Sequence, residues 1–259
     1  GVSGVDLYAL DEKRWRYVAT HLPAEQESAT ILCESMVGGR RKYLAHLPLY
    51  NGVKSLEIGL PAPEDKSFAP IKPRKEKPIL FYGTSITQGG CASRPGMAFT
   101  NILARRLDRP VLNFGFSGNG KMELEVAQFL AEIDAGVFII DCSGNMAAAD
   151  DIEKRCSPLI KLLRDKRGAA MPILLADERP EPVSWLKPQV KKVHDEKTAA
   201  LKRAYDARVA AGDGHIYYCP GDNVIGTDGE ATVDGSHPTD LGMMRYTDVL
   251  EASLRNILT

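Results

Sequence analysis

The sequence predicts an α/β protein with a doubly wound, five-stranded parallel sheet, preceded by a small β-sandwich domain. Three observations carry that expectation. From residue 78 onward, short apolar runs alternate with stretches whose apolar residues recur at helical spacing, the pattern of strands joined by crossover helices. Before residue 60 the texture is short aromatic and aliphatic runs separated by Gly38-Gly39 and Asn51-Gly52, which reads as antiparallel strands and turns. Between the two, Pro61, Pro63, Pro70 and Pro73 sit among charges, and prolines interrupt any hydrogen-bonded ladder. The chain therefore divides into a partial β-sandwich at 1–60, a Pro-rich linker at 61–77 and an α/β domain at 78–259.

In the first part, residues 15–21, 29–35 and 41–47 are candidate strands. Asn51-Gly52 lies between residues 47–50 and 53–58 and predicts a hairpin, because both positions tolerate φ > 0. A stretch of this length is thin for a two-sheet core, so the sandwich reads as incomplete, with strands missing upstream. Trp15 and Tyr17 are expected in its core, with stacking on a sugar as the alternative use. The Pro-rich stretch is either a flexible linker or a strap lying extended across the second domain.

In the second part, candidate strands are residues 79–82, 111–114, 137–141, 173–176 and 215–218. The helices between them show one apolar face each. Phe99, Ile102, Leu103 and Leu107 form the first stripe. Met122, Val126, Phe129, Leu130 and Ile133 form the second, and Ile152, Cys156, Leu159, Ile160 and Leu163 the third. Val190, Val193, Leu201, Ala204 and Tyr205 make the fourth, and Met243, Tyr246, Leu250, Leu254 and Ile257 the fifth. Pro158 inside the third stripe either kinks that helix or starts a new one capped by Ser157.

Composition narrows the function classes. With 44% hydrophobic and 26% charged residues and a formal net charge of −1, nothing points to nucleic acid or a membrane surface as partner. No apolar run reaches the ~18 residues of a membrane span, and no signal peptide is visible. The chain begins at Gly1 rather than Met and reads as a fragment, so a missing signal leaves the compartment open; oligomeric state is likewise unspecified. The five cysteines, Cys33, Cys91, Cys142, Cys156 and Cys219, lack zinc spacing and are too sparse for a disulfide scaffold. Cys91 and Cys142 are expected to be buried small residues or a disulfide pair. His21, His46, His194 and His215 show no mutual metal spacing, so neither a metal nor a cofactor is expected.

A parallel sheet of this kind places every loop that leaves a strand C-terminus on one edge, where ligands bind. Ser85 follows the first strand in Gly83-Thr84-Ser85, the Gly-rich stretch 113–120 follows the second, and Asn145 follows the third. Asp234 and His237 immediately precede the last helix. A serine hydroxyl needs a base to take its proton. His237 can do so, and Asp234, three residues earlier, can hold and orient its ring. The backbone N–H groups of Ser85 and Gly118 and the side-chain amide of Asn145 are candidate donors to an oxyanion. Asp177 and Arg179 follow the fourth strand on the same edge, without a role that spacing assigns.

These residues resemble the blocks of the SGNH (GDSL-like) hydrolase superfamily. Gly83-Thr84-Ser85 matches its Gly-Asp-Ser block, Gly118 the glycine of its second, Ser143-Gly144-Asn145-Met146 its Gly-x-Asn-Asp block loosely, and Asp234 to Pro238 its Asp-x-x-His-Pro block fully. The resemblance spans residues 78 to 259 and implies a flavodoxin-like fold, Ser85 as nucleophile, Asp234 and His237 as its partners, and Ser85, Gly118 and Asn145 as the oxyanion hole. Thr84 and Met146 depart from the pattern and place the surrounding polar network apart from the family's. Gly4-Val5-Asp6-Leu7-Tyr8 resembles the GxDLY motif of bacterial SGNH hydrolases with an N-terminal β-sandwich. That resemblance implies a secreted or periplasmic bacterial enzyme acting on acylated sugars. With no amphipathic lid rich in large apolar residues and small polar loops on the active edge, the expected substrates are short acyl esters, acetyl above all, of small molecules or oligosaccharides.

Other classes compete. A general short-chain esterase has the same residues. A non-catalytic carbohydrate-binding protein has the same fold. A dinucleotide-dependent oxidoreductase is suggested by the Gly-rich stretch at 115–120, but its spacing is not G-x-G-x-x-G and it follows the second strand. A P-loop is excluded, since residues 83–90 contain no lysine.

Overall fold

The computed structural model describes residues 1–60 and 68–258. Part of the Pro-rich linker at 61–77 lies outside the described residues. The N-terminal strands are β1 (Val5–Asp11), β2 (Arg14–His21) and β3 (Tyr43–His46), which pair antiparallel in the order β2-β1-β3. The second sheet contains β4 (Ile79–Gly83), β5 (Val111–Gly115), β6 (Val137–Asp141), β7 (Ile173–Ala176) and β8 (Ile216–Cys219). It is parallel throughout, in the order β5-β4-β6-β7-β8. The helices are α1 (Ser85–Gln88), α2 (Phe99–Arg106), α3 (Leu124–Leu130), α4 (Ala149–Arg167), α5 (Pro188–Ala210) and α6 (Asp240–Ile257).

The parallel strands are apolar on both faces because both faces are covered. Leu80, Tyr82, Phe138, Ile140, Ile173 and Leu175 pack in one core layer with Ile152, Leu159 and Leu163 of α4 and Leu201 of α5. The alternate residues Ile79, Phe81, Val137, Ile139 and Leu174 pack in the other, with Phe99 and Leu103 of α2 and Met243, Tyr246 and Leu250 of α6. The chain reverses direction across the sheet at β4, and ligands of such sheets sit at the C-terminal strand ends beside that reversal. Ser85 is the second residue beyond β4.

The five expected parallel strands form within a residue or two of their bounds. Pro158 neither breaks α4 nor starts it; it lies on the exposed side, where water can satisfy the carbonyl it leaves without a donor. Phe129 is 72% exposed rather than part of a core stripe, and Ala127 and Leu130 are the buried residues of α3.

The N-terminal region differs more. Among the described residues it is one three-stranded sheet rather than two packed sheets, and β1, not read as a strand from sequence, is its centre. Residues 29–35 form no strand, and Asn51-Gly52 joins no hairpin. Instead the 49–51 backbone bonds to the first residues of the chain: Leu49 N–H donates to the Gly1 carbonyl (3.1 Å), and Tyr50 and Asn51 N–H to the Val2 carbonyl (3.3 and 3.1 Å). The sheet docks on the α/β unit through β1. The Asp6 side chain, fully buried, accepts from the Gly96 N–H (2.7 Å), from Arg94 Nη1 (2.7 Å) and from the Thr20 hydroxyl (2.7 Å). The Tyr8 ring lies under the Arg105 guanidinium, 4.1 Å from its centre. Tyr17 is half exposed and carries the Arg94 guanidinium on its ring at 4.5 Å, so it serves docking rather than a sandwich core.

Candidate active site

α1 is short, and local chemistry fixes both its ends. The Thr84 hydroxyl accepts from the Ile86 N–H (3.2 Å), and the Thr84 N–H donates to the Thr87 hydroxyl (3.1 Å), a reciprocal cap. Thr84 thus performs the capping work that an acidic residue would do at this position. Ser85 opens the helix and is 8% exposed.

Residues 231–239 close on themselves. Val233 N–H donates to the His237 carbonyl (2.8 Å) and Thr239 N–H to the Ala231 carbonyl (2.9 Å). Within this loop, Asp234 Oδ1 accepts from the backbone N–H groups of His237 (2.7 Å) and Ser236 (2.9 Å). Its Oδ2 lies 2.8 Å from His237 Nδ1. The His237 backbone N–H, the His237 ring and the Ser236 N–H hold the Asp234 carboxyl down at about 2, so it is a carboxylate near neutral pH. His237 Nε2 faces Ser85 Oγ at 2.8 Å. With Nδ1–H donated to Asp234, Nε2 is the bare nitrogen that can accept the serine proton. The three residues picked from sequence thus stand in one hydrogen-bonded line.

The Gly-rich stretch after β5 lies directly over α1. Phe116 N–H donates to the Gly83 carbonyl (2.9 Å) and Ser117 N–H to Gln88 Oε1 (3.1 Å). Asn119 N–H donates to the Phe116 carbonyl (3.0 Å), closing a turn with Gly118 at φ +71°, the turn position that suits glycine. Among the described residues, the N–H groups of Ser85 and Gly118 have no protein acceptor. Asn145, in the single helical turn after β6, donates from Nδ2 to the carbonyl of Asn119 and, at 3.4 Å, to that of Phe116. The second contact is long for a hydrogen bond. The amide therefore borders the same turn as Gly118.

Of the polar groups beneath, sequence reasoning placed Asp177 and Arg179 on this edge without a role and did not single out Asp141, Glu178 or Lys197. The Asp141 carboxyl is buried and accepts from the Thr87 hydroxyl at 2.6 Å. Burial pushes it up to about 7 against that hydrogen bond and the Arg179 charge. Asp177 accepts from the Tyr218 hydroxyl (2.6 Å). Arg179, 5% exposed, sends Nε to the Ser236 carbonyl (2.7 Å) and Nη2 to the Ser236 hydroxyl (2.5 Å), clamping the loop that carries Asp234 and His237. Lys197 and Glu178 form a buried pair at 2.8 Å. A contiguous Asp177-Glu178-Arg179 run after an apolar strand was the one available sequence signal for these groups. Cys91 and Cys142 are both free: Cys142 is buried with its thiol on the Tyr82 carbonyl (3.4 Å), while Cys91 is exposed. Met146, where the resemblance calls for an acid, is buried in the core.

A doubly wound sheet of this order, with a buried serine and its histidine at the switch edge, defines a serine ester hydrolase of the SGNH kind. The chain belongs to the GDSL-like lipase/acylhydrolase family, whose model matches residues 76–255. A second model, the N-terminus of SGNH-hydrolase-type esterases, matches residues 1–66. Among solved structures, a protein assigned as a GDSL-like lipase from Bacteroides ovatus is 33% identical, with a TM-score of 0.89 over 99% of this chain and 75% of that one. A salicylyl-acyltransferase from a tetracycline biosynthetic pathway shares the fold at 15% identity, with a TM-score of 0.71 over 98% of this chain and 75% of that one. So does a family two carbohydrate esterase from Clostridium thermocellum, solved with cellohexaose, at 18% identity and a TM-score of 0.56, over 74% and 67%. Curated protein sequences give no match.

Proposed function

We propose that this hydrolase removes short acyl groups, acetyl above all, from carbohydrate esters through Ser85, His237 and Asp234. The observation that carries the mechanism is the unbroken line Ser85 Oγ–His237 Nε2–Nδ1–Asp234 Oδ2, with 2.8 Å at each contact. His237 Nε2 takes the hydroxyl proton as Ser85 Oγ bonds to the ester carbonyl carbon. The carbonyl π electrons move to the oxygen, which becomes an oxyanion. The free N–H groups of Ser85 and Gly118 donate hydrogen bonds to it, joined by Asn145 Nδ2 as it gives up its long 3.4 Å contact with the Phe116 carbonyl. As the tetrahedral species collapses, the bond to the sugar oxygen breaks and His237 returns the proton to it, leaving Ser85 acylated. A water molecule, deprotonated by His237, then attacks the acyl carbon. The second collapse releases the carboxylic acid and reprotonates Ser85. Asp234, a carboxylate throughout, holds the ring and stabilises the imidazolium formed in each half.

Loop chemistry supports a hydroxylated substrate. Ser117, Gly118 and Asn119 are exposed beside α1, and Thr227, Asp228 and Gly229 are exposed in the loop that follows β8, which Arg245 holds through Asp228. Small polar loops suit a sugar better than a long alkyl chain. No helix among the described residues is long and apolar enough to cross a membrane. A secreted or periplasmic location is part of the proposal and rests on the N-terminal motif. The test compares kcat/KM on acetylated xylooligosaccharides and monosaccharides with p-nitrophenyl esters of increasing chain length, for the wild type and Ser85→Ala. Acetate release from sugars that vanishes in the variant is expected. A preference for chains of eight or more carbons, with no acetate from any sugar, would overturn the carbohydrate reading and leave the hydrolase.

A further inference from the structure

Gln88 is the last residue of α1, three positions after the nucleophile, and its side-chain amide is used at both ends. Nε2 donates to the Leu49 carbonyl (3.2 Å), and Oε1 accepts from the Ser117 N–H (3.1 Å). The two partners fix the orientation of the amide, since reversing it would face donor to donor and acceptor to acceptor. Leu49 belongs to the N-terminal part of the chain and is held there by its own N–H on the Gly1 carbonyl. Ser117 immediately precedes Gly118. One side chain therefore spans from the N-terminal module, across the end of the helix that starts with Ser85, to the turn that carries the Gly118 N–H.

The backbone beneath is packed to make that span possible. A Cβ on Gly115 would stand 2.1 Å from the Gln88 nitrogen and 2.7 Å from the Thr84 carbonyl, so the end of β5 passes against α1 at a distance only glycine allows. Asn113 Nδ2 donates to the Thr87 carbonyl (2.7 Å) from the same strand. Beyond it, the turn at 116–119 is closed by one backbone bond and contains Gly118 at φ +71°. The central peptide of this turn joins Ser117 to Gly118 and carries the Gly118 N–H; Asn119 Nδ2 reaches its carbonyl only at 3.4 Å, long for a hydrogen bond. Asn119 N–H on the Phe116 carbonyl fixes the far end of that peptide's span. Only the Gln88 oxygen holds the N–H of Ser117, at the near end, among the described residues.

On the reading of Ser85 as nucleophile and Gly118 as oxyanion donor, we infer that Gln88 is a positioning residue that aims the Gly118 N–H and ties that aim to the N-terminal module. The side chain takes no part in proton transfer and touches no reacting atom. Its acceptor oxygen sets the oxyanion turn, and its donor nitrogen anchors the amide to Leu49.

Two variants separate the halves. Gln88→Met keeps the length and removes both hydrogen bonds. Gln88→Glu keeps an acceptor for Ser117 and removes the donor to Leu49. With p-nitrophenyl acetate, Gln88→Met is expected to lower kcat about tenfold, a part of the ~10²-fold that a whole oxyanion donor supplies, with KM within twofold and Tm nearly unchanged. Gln88→Glu is expected within threefold of wild-type kcat. Amide hydrogen exchange, followed by NMR in the full chain, gives a readout independent of turnover: Ser117 exchange should quicken at least tenfold in Gln88→Met and stay near wild type in Gln88→Glu. Wild-type kcat in Gln88→Met, a loss confined to KM, equal impairment of both variants, or unchanged Ser117 exchange would each overturn the inference. Failure of Ser85→Ala to remove activity would instead strike the nucleophile assignment, leaving the exchange experiment to decide the clamp.

Discussion

At the scale of the residue, the site is built from groups whose charge state is set by neighbours. Asp234 is held as a carboxylate by two backbone N–H groups and a histidine ring. Asp234→Asn keeps the shape but presents an amide that favours the wrong imidazole tautomer, so kcat should fall by orders of magnitude with KM nearly constant; a steady-state comparison at one pH checks it, and an unaltered rate would mean that something else orients His237. Asn145→Ala should lower kcat by ~10²-fold, the scale of one oxyanion donor; a change in KM alone would move Asn145 to substrate binding. Asp141 runs the opposite way to Asp234. Its carboxyl is pushed up to about 7 by burial, so the folded protein keeps a proton that the unfolded chain releases near pH 4. The stability this protonated group contributes is full below pH 4. It is lost as pH rises toward 7, at a rate approaching about 1.4 kcal/mol for each pH unit between those limits. Asp141→Asn should therefore gain on the wild type in urea denaturation between pH 4 and 7, and a pH-independent difference between the two would refute this. The residues of the Ser85–His237–Asp234 line were legible because each sits in a short motif with a chemical reason for its spacing. Asp141 and Gln88 were not, because a buried carboxyl and a bridging amide are defined by partners distant in sequence: Thr87 is 54 residues from Asp141, and Leu49 is 39 residues from Gln88.

At the scale of the element, legibility follows how locally each element is determined. The buried parallel strands are continuous apolar runs, so their position is written in a few residues, and all five were found. α5 was read from an apolar stripe, yet its buried face also contains His194 and Lys197, because Lys197 balances Glu178 from the end of the neighbouring strand; hydrophobic periodicity cannot report a buried ion pair. The N-terminal strands were less legible. β1 alternates with polar Asp6 buried and Asp11 exposed, and the Asn51-Gly52 turn signal was overridden by hydrogen bonds to residues at the opposite end of the module. Arg179 shows what an element end can do for a loop. It reaches from the end of β7 to both oxygens of Ser236, between Asp234 and His237. Arg179→Lys keeps the charge but cannot reproduce two fork-like donations. We expect kcat to fall roughly tenfold, the order of one lost hydrogen bond to a charged group, with substrate affinity little changed. Unchanged turnover would leave Arg179 as a partner of the buried acids and no more.

At the scale of the whole molecule, the question is whether the N-terminal sheet and the α/β unit unfold as one. The sheet is too small to bury a core of its own, and its central strand turns Tyr8 and a charged side chain, Asp6, toward the second unit. Asp6 replaces its water with three donors: the Gly96 N–H, Arg94 Nη1 and the Thr20 hydroxyl. Two of these come from the loop between α1 and α2, so the contact that docks the module also orders the chain leaving α1. Removing one member of a buried, hydrogen-bonded ion pair leaves its partners desolvated and unpaired, which costs about 3–5 kcal/mol. Asp6→Ala is therefore expected to lower the free energy of unfolding by that order. The energy is shared across the junction, so the variant should also separate one thermal transition into two, the N-terminal sheet melting first, as calorimetry would resolve. Where that first transition is complete, the Leu49 carbonyl that anchors Gln88 leaves with the module, so kcat should fall by no more than the threefold set for Gln88→Glu. A loss below about 0.5 kcal/mol, the range of an ordinary surface substitution, would mean that the apolar contacts and the Tyr8–Arg105 stack hold the two units together without Asp6. A single transition displaced to lower temperature would mean that the units remain one cooperative body even without the clamp.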